Sequence, residues 1–553
     1  MEKMKQIIIQ EVFENKKVKE ISKSSDANGF VTQWVMNFKS VSTKREFLNT
    51  YTDIFNEKYK DKKVQIGGME SGAIPLITAL ALGSESVSGC FYVRKARKKH
   101  DLSNIYEGNI DANIPIVLVD DILNGGSTFL KQIIILEEEG FKVKEVFAIV
   151  KFRDDSFYKE LEDKGIKINY IFELDDFKKE IGLVNLDNIK KEARVPFDKY
   201  QNIWGIKLNN FSENNMYSIL PKSGLCDDEK YIYTGSDDGS FYCIEKETGD
   251  TKWKYKISFG VPGKNIFSTP TTSSKFVFFG AYDGNLYCLS KDTGKVVWIF
   301  YDADYIGSSP NVENNKYVYI ALEFGWIKKK GGVAKIDIKT GKAIWTNYNM
   351  SALTHASPVS NTKLGVVVCG CNDSYVYCFD KKNGNIKWKY KTNGEVKYGC
   401  VFDEKKNLVI IASVDGGVYC IKIKDGTLYH RFEGIFGFYS TPALDKDTIY
   451  IGGLDKRVYC FDLKTKNKKW EVVTAGRIFA SPALHKECVY IGSNDGNLYE
   501  IEKEKGKILS RTMISERIVN KIIIKEEITS NNISKKVMYI KSFTNDIYKF
   551  VEK

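Results

Sequence analysis

From about residue 217 onward the chain repeats itself, and that periodicity limits the second part of the molecule to a repeat architecture. The segments YIYTGSDDGSFYCIEKETGDTKW (231–253), FVFFGAYDGNLYCLSKDTGKVVW (276–298) and IYIGGLDKRVYCFDLKTKNKKW (449–470) share one pattern, which returns every 39–47 residues. Each copy reads as a strand, an Asp-Gly-type hairpin turn, a second strand with Tyr-Cys, a Thr-Gly-type turn and an outer strand carrying Trp. Segments such as FSTPTT, YSTPAL and ASPALH lead into the next copy. Four short antiparallel strands per copy make a blade of an all-β propeller. Trp253, Trp298, Trp345, Trp388 and Trp470 occupy one outer-strand slot, with His430 and Leu509 standing in for two copies, and packing between blades is their expected role. An eighth copy, 537–553, ends before its outer strand, whereas IWGIKL (203–208) precedes the first copy as an orphan outer strand. Pairing the two would close an eight-bladed ring and remove an exposed edge; seven blades is the alternative.

Cys243, Cys288, Cys378, Cys420 and Cys460 each follow a Tyr at one repeat position, so they fall in separate copies and read as small packed thiols rather than disulfides. The formal net charge of +12 resides after residue 200: residues 1–200 balance 32 Lys+Arg against 32 Asp+Glu. With 43% apolar and 28% charged residues the composition is that of a globular chain. No apolar run reaches membrane-spanning length, and the first residues turn acidic too early for a signal peptide, so a cytoplasmic protein without membrane partners is expected. The repeat is similar to the quinoprotein-type (PQQ-like) propeller repeat over residues 203–553. Exported members of that group bind a quinone through adjacent cysteines and calcium. Here Gly370 separates the nearest pair, Cys369 and Cys371, so no PQQ is expected.

Residues 1–185 follow another pattern, in which helical segments alternate with the apolar strands VQIGG (64–68), GCFYV (89–93), PIVLVDD (115–121) and VFAIV (146–150). That alternation predicts an α/β domain with a parallel sheet, followed by a linker at 186–202 and the propeller at 203–553. Ligands of such sheets bind beyond the carboxyl ends of the strands. In IVLVDDILNGGSTF (116–129) a buried strand leads to two carboxylates, Asp120 and Asp121, and then to a Gly-rich turn opening a helix. Gly125 and Gly126 let backbone amides approach a phosphate, Ser127 and Thr128 add hydroxyls, and the helix adds its positive end. A ribose diol beside a phosphate would satisfy both halves of the motif.

This segment resembles the 5-phosphoribosyl-1-pyrophosphate (PRPP) signature of type I phosphoribosyltransferases. YVRKARKKHDLSNIYEGNI (92–110) is similar to the mobile basic loop of orotate phosphoribosyltransferases, and IGGMESGAIPLITALAL (66–82) to their pyrophosphate loop. FRDD (152–155) places Arg153 where that family carries a base-binding Arg. The resemblance covers about residues 20–183 and implies a set of roles. Lys98 is the catalytic cation, with Asp120 and Asp121 holding the ribose. Arg94, Lys95, His100, Glu70, Ser71 and Gly72 bind the pyrophosphate end, Asn124, Gly125, Gly126, Ser127 and Thr128 the 5-phosphate, and Arg153 the base. It further implies Mg²⁺ held near Asp120 and Asp121 mostly through substrate or water, a nucleobase acceptor, and a homodimer in which the basic loop reaches the neighbouring site. The sequence departs from the family at Asp101, at Asn124, and at Glu70 and Ser71, which stand where some members carry a Tyr-Lys pair. Two readings follow: a PRPP-dependent transferase whose propeller binds an unidentified protein partner or regulates it, in a stress or defence setting, or a non-catalytic PRPP or nucleotide sensor with the propeller as a protein- or nucleic-acid-binding platform. For nucleic acid the sequence offers only diffuse positive charge, with IKKKGG (327–332) its densest tract.

Overall fold

The computed structural model describes residues 1–14, 18–25, 31–36, 38, 41–94, 105–177, 199–208, 223–257, 265–325, 329–528 and 534–553. They divide into two compact units, Met1–Val195 with Met513–Ser515, and Pro196–Thr512 with Glu516–Lys553.

The first unit runs α1 (Glu2–Ile8), β1 (Val18–Ser25), β2 (Val31–Met36), α2 (Arg45–Lys58), β3 (Val64–Gly67), α3 (Ile74–Gly83), β4 (Val87–Val93), β5 (Tyr106–Gly108), β6 (Ile116–Leu123), α4 (Ser127–Glu138), β7 (Val143–Lys151), α5 (Lys159–Asp163) and β8 (Lys167–Glu173). β1 and β2 form a separate antiparallel hairpin. The main sheet has the order β5-β4-β3-β6-β7-β8 and is parallel except where β5 pairs with β4. Its strands are apolar on both faces because both are covered. Val117, Val119, Phe147 and Ile149 pack with Phe47, Tyr51, Phe55, Leu76 and Leu80. Their neighbours Leu118, Val146 and Ala148 face Phe129, Leu130, Ile133 and Leu136 of α4 on the other side. β6 holds both aspartates, as the predicted strand 115–121 does, and runs two residues further: its pairing with β7 continues through Ile122↔Val150 and Leu123↔Lys151.

The second unit contains eight four-stranded sheets among the described residues. The eighth is completed by β9 (Tyr200–Ile206), which pairs antiparallel with Ile547–Glu552, Trp204 lying opposite Lys549. Three recurring devices explain the repeat. First, the turn Asp is held by the Tyr four residues later: Tyr287, Tyr377, Tyr419 and Tyr499 donate their hydroxyls to Asp283, Asp373, Asp415 and Asp495 at 2.6–2.7 Å. Second, each outer-strand Trp docks on the following turn of the next blade. Trp388 Nε1 donates to the Ile423 carbonyl at 2.8 Å, and the ring lies against Gly426, whose φ of +73° suits glycine. Trp204 makes the same contact with Lys246 and Gly249 of the first blade, which closes the ring. Where His430 replaces Trp, the opposing turn carries Lys466 instead of Gly. Third, the Ser/Thr before each Pro joins neighbouring blades: the amides of Gly224, Thr269, Ser309 and Thr441 donate to the hydroxyls of Thr269, Ser309, Ser357 and Ser481 at 2.9–3.0 Å.

All eleven cysteines are free thiols. Burial pushes those of Cys243, Cys378, Cys420 and Cys460 up to about 12. Trp388→Ala removes a side chain only 9% exposed together with its hydrogen bond, and should cost about 3–5 kcal/mol. Urea unfolding of the variant against wild type measures that loss.

Candidate phosphoribosyl site

The order of the sheet reverses between β3 and β6, since the crossover from β3 leads to β4 on one side while β6 lies on the other. A crevice opens at such a switch point, beyond the carboxyl ends of the two strands.

The chain leaves β3 at Gly68, where a Cβ would stand 2.4 Å from Ala73 Cβ and 2.6 Å from the Val119 carbonyl oxygen, so the loop is pressed against the end of β6. It is also tied to β4: Val93 donates to the Gly68 carbonyl at 2.8 Å, and Glu70 to the Val93 carbonyl at 2.9 Å. The Glu70–Ser71 peptide is cis. A Cβ on Gly72 would lie 3.6 Å from Asp120 Oδ1, which places the predicted pyrophosphate loop beside the aspartate pair. Asp120 is 9% exposed and its Oδ1 accepts the Asp121 amide at 3.0 Å, while Asp121 is half-buried. Beneath them Tyr51 of α2 is fully buried; burial raises its phenol pKa, and the nearby Tyr59, Asp120 and Asp121 raise it further. Periodicity marks Tyr51 only as a core residue, and its proximity to the carboxylates has no local sequence signal.

Beyond β6, Gly125, Gly126 and Ser127 are buried and Thr128 is exposed. Gly126 is the N-cap of α4 with φ +78°, a left-handed conformation that opens the helix without a side-chain cap. Arg153 follows β7 and is 3% exposed. Its Nε donates to Asn124 Oδ1 at 2.9 Å, and its guanidinium lies 5.5 Å from the Phe157 ring centroid. The Arg153 amide donates to the Tyr158 hydroxyl, which donates to the Leu123 carbonyl. Arg153 and the turn after β6 are therefore mechanically joined. Arg153 also lines a cavity of about 280 Å³ with Lys151, Asp154, Asp155, Glu173 and Leu174. Lys151, which sequence reasoning missed, binds Asp155 and Glu173 at 2.6 and 3.0 Å; burial lowers its pKa, but the two carboxylates outweigh burial and keep it raised.

Arg94 sits at the end of β4 and pairs with Glu107 Oε1 at 2.8 Å. Lys95, Lys98, His100 and Asp101 lie outside the described residues. Asp120, Asp121, Asn124, Gly125–Thr128, Arg153 and the 68–72 loop thus gather at one end of the sheet. Among the described residues no group of three or more His, Cys, Asp or Glu forms a metal cage. The adjacent aspartates are nonetheless a hard-oxygen donor set of the kind Mg²⁺ takes when substrate and water complete its coordination.

Together these features define an open α/β sheet with a phosphate-type loop at its switch point, joined in sequence to an eight-bladed ring. Comparison with known proteins gives both parts a family resemblance. Orotate phosphoribosyltransferases match the first: that of Pyrococcus horikoshii is 29% identical over 143 residues, 25% of this chain and 75% of the relative. The Methanosphaera stadtmanae enzyme is 27% identical over 154 residues, 28% of this chain and 85% of the relative. The family profile described as outer membrane protein assembly factor BamB matches residues 201–429 and 263–472. In fold, the ring is similar to a europium-containing methanol dehydrogenase (TM-score 0.52, 11% identity, 64% of this chain and 93% of that one). It is also similar to the quinohemoprotein alcohol dehydrogenase ADHIIG of Pseudomonas putida HK5 (TM-score 0.51, 13% identity, 64% and 76%). The chain carries an orotate phosphoribosyltransferase-like α/β domain followed by a PQQ-like eight-bladed propeller. Among the described residues no helix is long and apolar enough to cross a membrane.

Proposed function

We propose that the α/β domain is a Mg²⁺-dependent phosphoribosyltransferase of the orotate type, transferring 5-phosphoribose from PRPP to a pyrimidine or related base. The observation that carries this reading is the adjacent Asp120–Asp121 pair at the end of β6, beside the Gly72 loop and one short turn before the Gly126 helix cap. In the reaction the C1–O bond to pyrophosphate breaks, a C1–N bond to the base forms, and the base nitrogen releases its proton. Asp120 and Asp121 hold the ribose hydroxyls, and their charge stabilises the cationic sugar as the leaving group departs. Gly125 to Thr128 hold the 5-phosphate at the start of α4. The amides of the Glu70–Gly72 loop, with Arg94, Lys95 and His100, receive the pyrophosphate, and Lys98 is the catalytic cation. Mg²⁺, when bound, neutralises charge on the pyrophosphate oxygens. Arg153, oriented by Asn124, recognises an acidic or carbonyl group on the base. Following the related enzymes, the domain works as a homodimer, and the propeller recruits a partner or regulates access.

One observation favours the sensor alternative: the Arg94 guanidinium is engaged by Glu107, and Glu70 and Ser71 supply no cation, so the pyrophosphate end carries less positive charge than its residue count suggests. Incubating the full chain with PRPP, Mg²⁺ and a panel of bases including orotate, with mass-spectrometric detection, separates the readings. Nucleotide plus pyrophosphate supports transfer; PRPP binding without either supports the sensor.

A further inference from the structure

The inner ends of all eight blades enclose a cavity of about 510 Å³ on the axis of the ring. That volume is typical of a small-molecule site. Its acidic and basic lining side chains are Asp227, His355, Lys397 and Lys521. Three of these are balanced within the protein: Asp227 by Lys246 and Lys525, His355 by Glu323 at 3.2 Å, and Lys397 by Glu395 at 2.7 Å. Lys521 makes no ion pair with a described residue. Its side chain reaches water, yet the enclosing walls desolvate the ammonium and pull its pKa down. An unpaired cation lining a cavity attracts an anion through its field, even though the Lys521 side chain is itself exposed to water.

Other parts of the cavity wall are aromatic. Phe267 meets Tyr282 edge-on at 5.1 Å, and Tyr439 stands between Tyr398 at 6.3 Å and Phe479 at 5.9 Å. Two of these lining groups depart from the repeat. The slot filled by Tyr398 is Ser223, Ser268, Ser308, Ala356, Ser440 or Ala480 in six other copies and Asn520 in the eighth. The slot filled by Lys521 holds the blade-joining hydroxyl in Thr269, Ser309, Ser357, Thr441 and Ser481. At both positions a residue that serves the packing of the ring has given way to one that projects into its lumen.

We propose that the axial cavity binds a small aromatic anion, its ring among Tyr398, Tyr439 and Phe479 and its phosphate or carboxylate on Lys521. The site is independent of the function assigned to the α/β domain. Aromatic phosphates and aromatic carboxylates share this chemistry, and titration calorimetry of the full chain with adenosine 5′-monophosphate and with 2-naphthoate tells them apart. One of the two should bind at 1:1 stoichiometry, with adenosine and inorganic phosphate each much weaker than the phosphate probe. Lys521→Met and Tyr398→Ala should each weaken that binding about tenfold or more at an unchanged melting temperature, because each removes one of the two recognition elements. Asp120→Asn, remote in sequence and in the other unit, should leave it unchanged. Absence of binding by both probes at millimolar concentration, or binding that survives both cavity variants, or loss of binding in Asp120→Asn, overturns the proposal.

Discussion

Replacing Asp120 and Asp121 together by Asn should reduce PRPP-dependent pyrophosphate release by about 100- to 1,000-fold, the range seen when a preorganised electrostatic element is removed from a transition state. The exchange is nearly isosteric. Asn keeps an acceptor oxygen for the amide at position 121, which Asp120 Oδ1 now binds at 3.0 Å, so the local backbone need not change. What disappears is the negative charge that opposes the developing sugar cation and carries the metal-bearing substrate. A coupled pyrophosphate assay gives the rate, and a thermal melt shows whether the fold is retained. Full activity in a folded double variant would remove the basis for phosphoribosyl transfer at this site.

Glu500→Ala should lower the stability of the propeller by about 3–5 kcal/mol, because it removes a buried carboxylate from Lys199 and Lys536, which are left with only Glu552 at 3.5 and 3.6 Å. The Glu500 carboxylate is 2% exposed and gathers groups from three places. Lys199 reaches it at 2.7 Å and Tyr200 at 3.1 Å from the closing strand, Tyr490 at 2.7 Å and Ser510 at 2.5 Å from its own blade, and Lys536 at 3.3 Å from the last blade. Burial alone would raise its pKa, but the bonds from Lys199, Ser510 and Tyr490 and the charge of Lys536 outweigh burial and hold it down to about 2. A carboxylate depressed in the folded state contributes stability that is present above its unfolded value near 4.5 and lost as the pH falls from there toward 2. At 1.36 kcal/mol per pH unit the contribution is about 3 kcal/mol. Urea unfolding between pH 6 and pH 3 should therefore show a steep loss in wild type and a flatter one in Glu500→Gln. Equal slopes would mean that the cluster does not tie the ring shut.

The propeller was legible because its rules are local and repeated. An Asp and a Tyr four residues apart, a Gly where the next Trp lands, and a hydroxyl before Pro each recur with fixed spacing, and each corresponds to one contact in the structure. The strands of the α/β domain were legible for a similar reason, since apolar runs covered on both faces stand out from amphipathic helices. The edge strand Tyr106–Gly108 was not, being three residues long and only partly buried. The aspartate pair and the glycine turn could be placed by motif, but not the extension of β6 to Leu123, which depends on pairing with β7. Nor could the partners of charged side chains be read. Glu107 beside Arg94, Asn124 beside Arg153, and Lys151 between Asp155 and Glu173 are meetings across 4 to 29 positions of chain, set by the sheet rather than by spacing. Lys521 and Tyr398 carried a sequence signal that only the cavity makes meaningful, as breaks in an otherwise regular pattern.

The strand that completes the eighth blade is made first and used last. Tyr200–Ile206 follows the α/β domain, whereas its pairing partner Ile547–Glu552 comes only after the other seven blades have been made. At roughly 5–20 residues per second, a ribosome needs some tens of seconds to deliver that partner after the first strand has appeared. Throughout this interval the nascent ring presents open hydrogen-bonding edges at both ends, while the α/β domain has its whole sequence and can fold. Interruption of the chain within the eighth blade would leave a folded α/β domain attached to an unsealed, association-prone arc, so that synthesis through Ile547–Glu552 becomes a condition of solubility for the two units together.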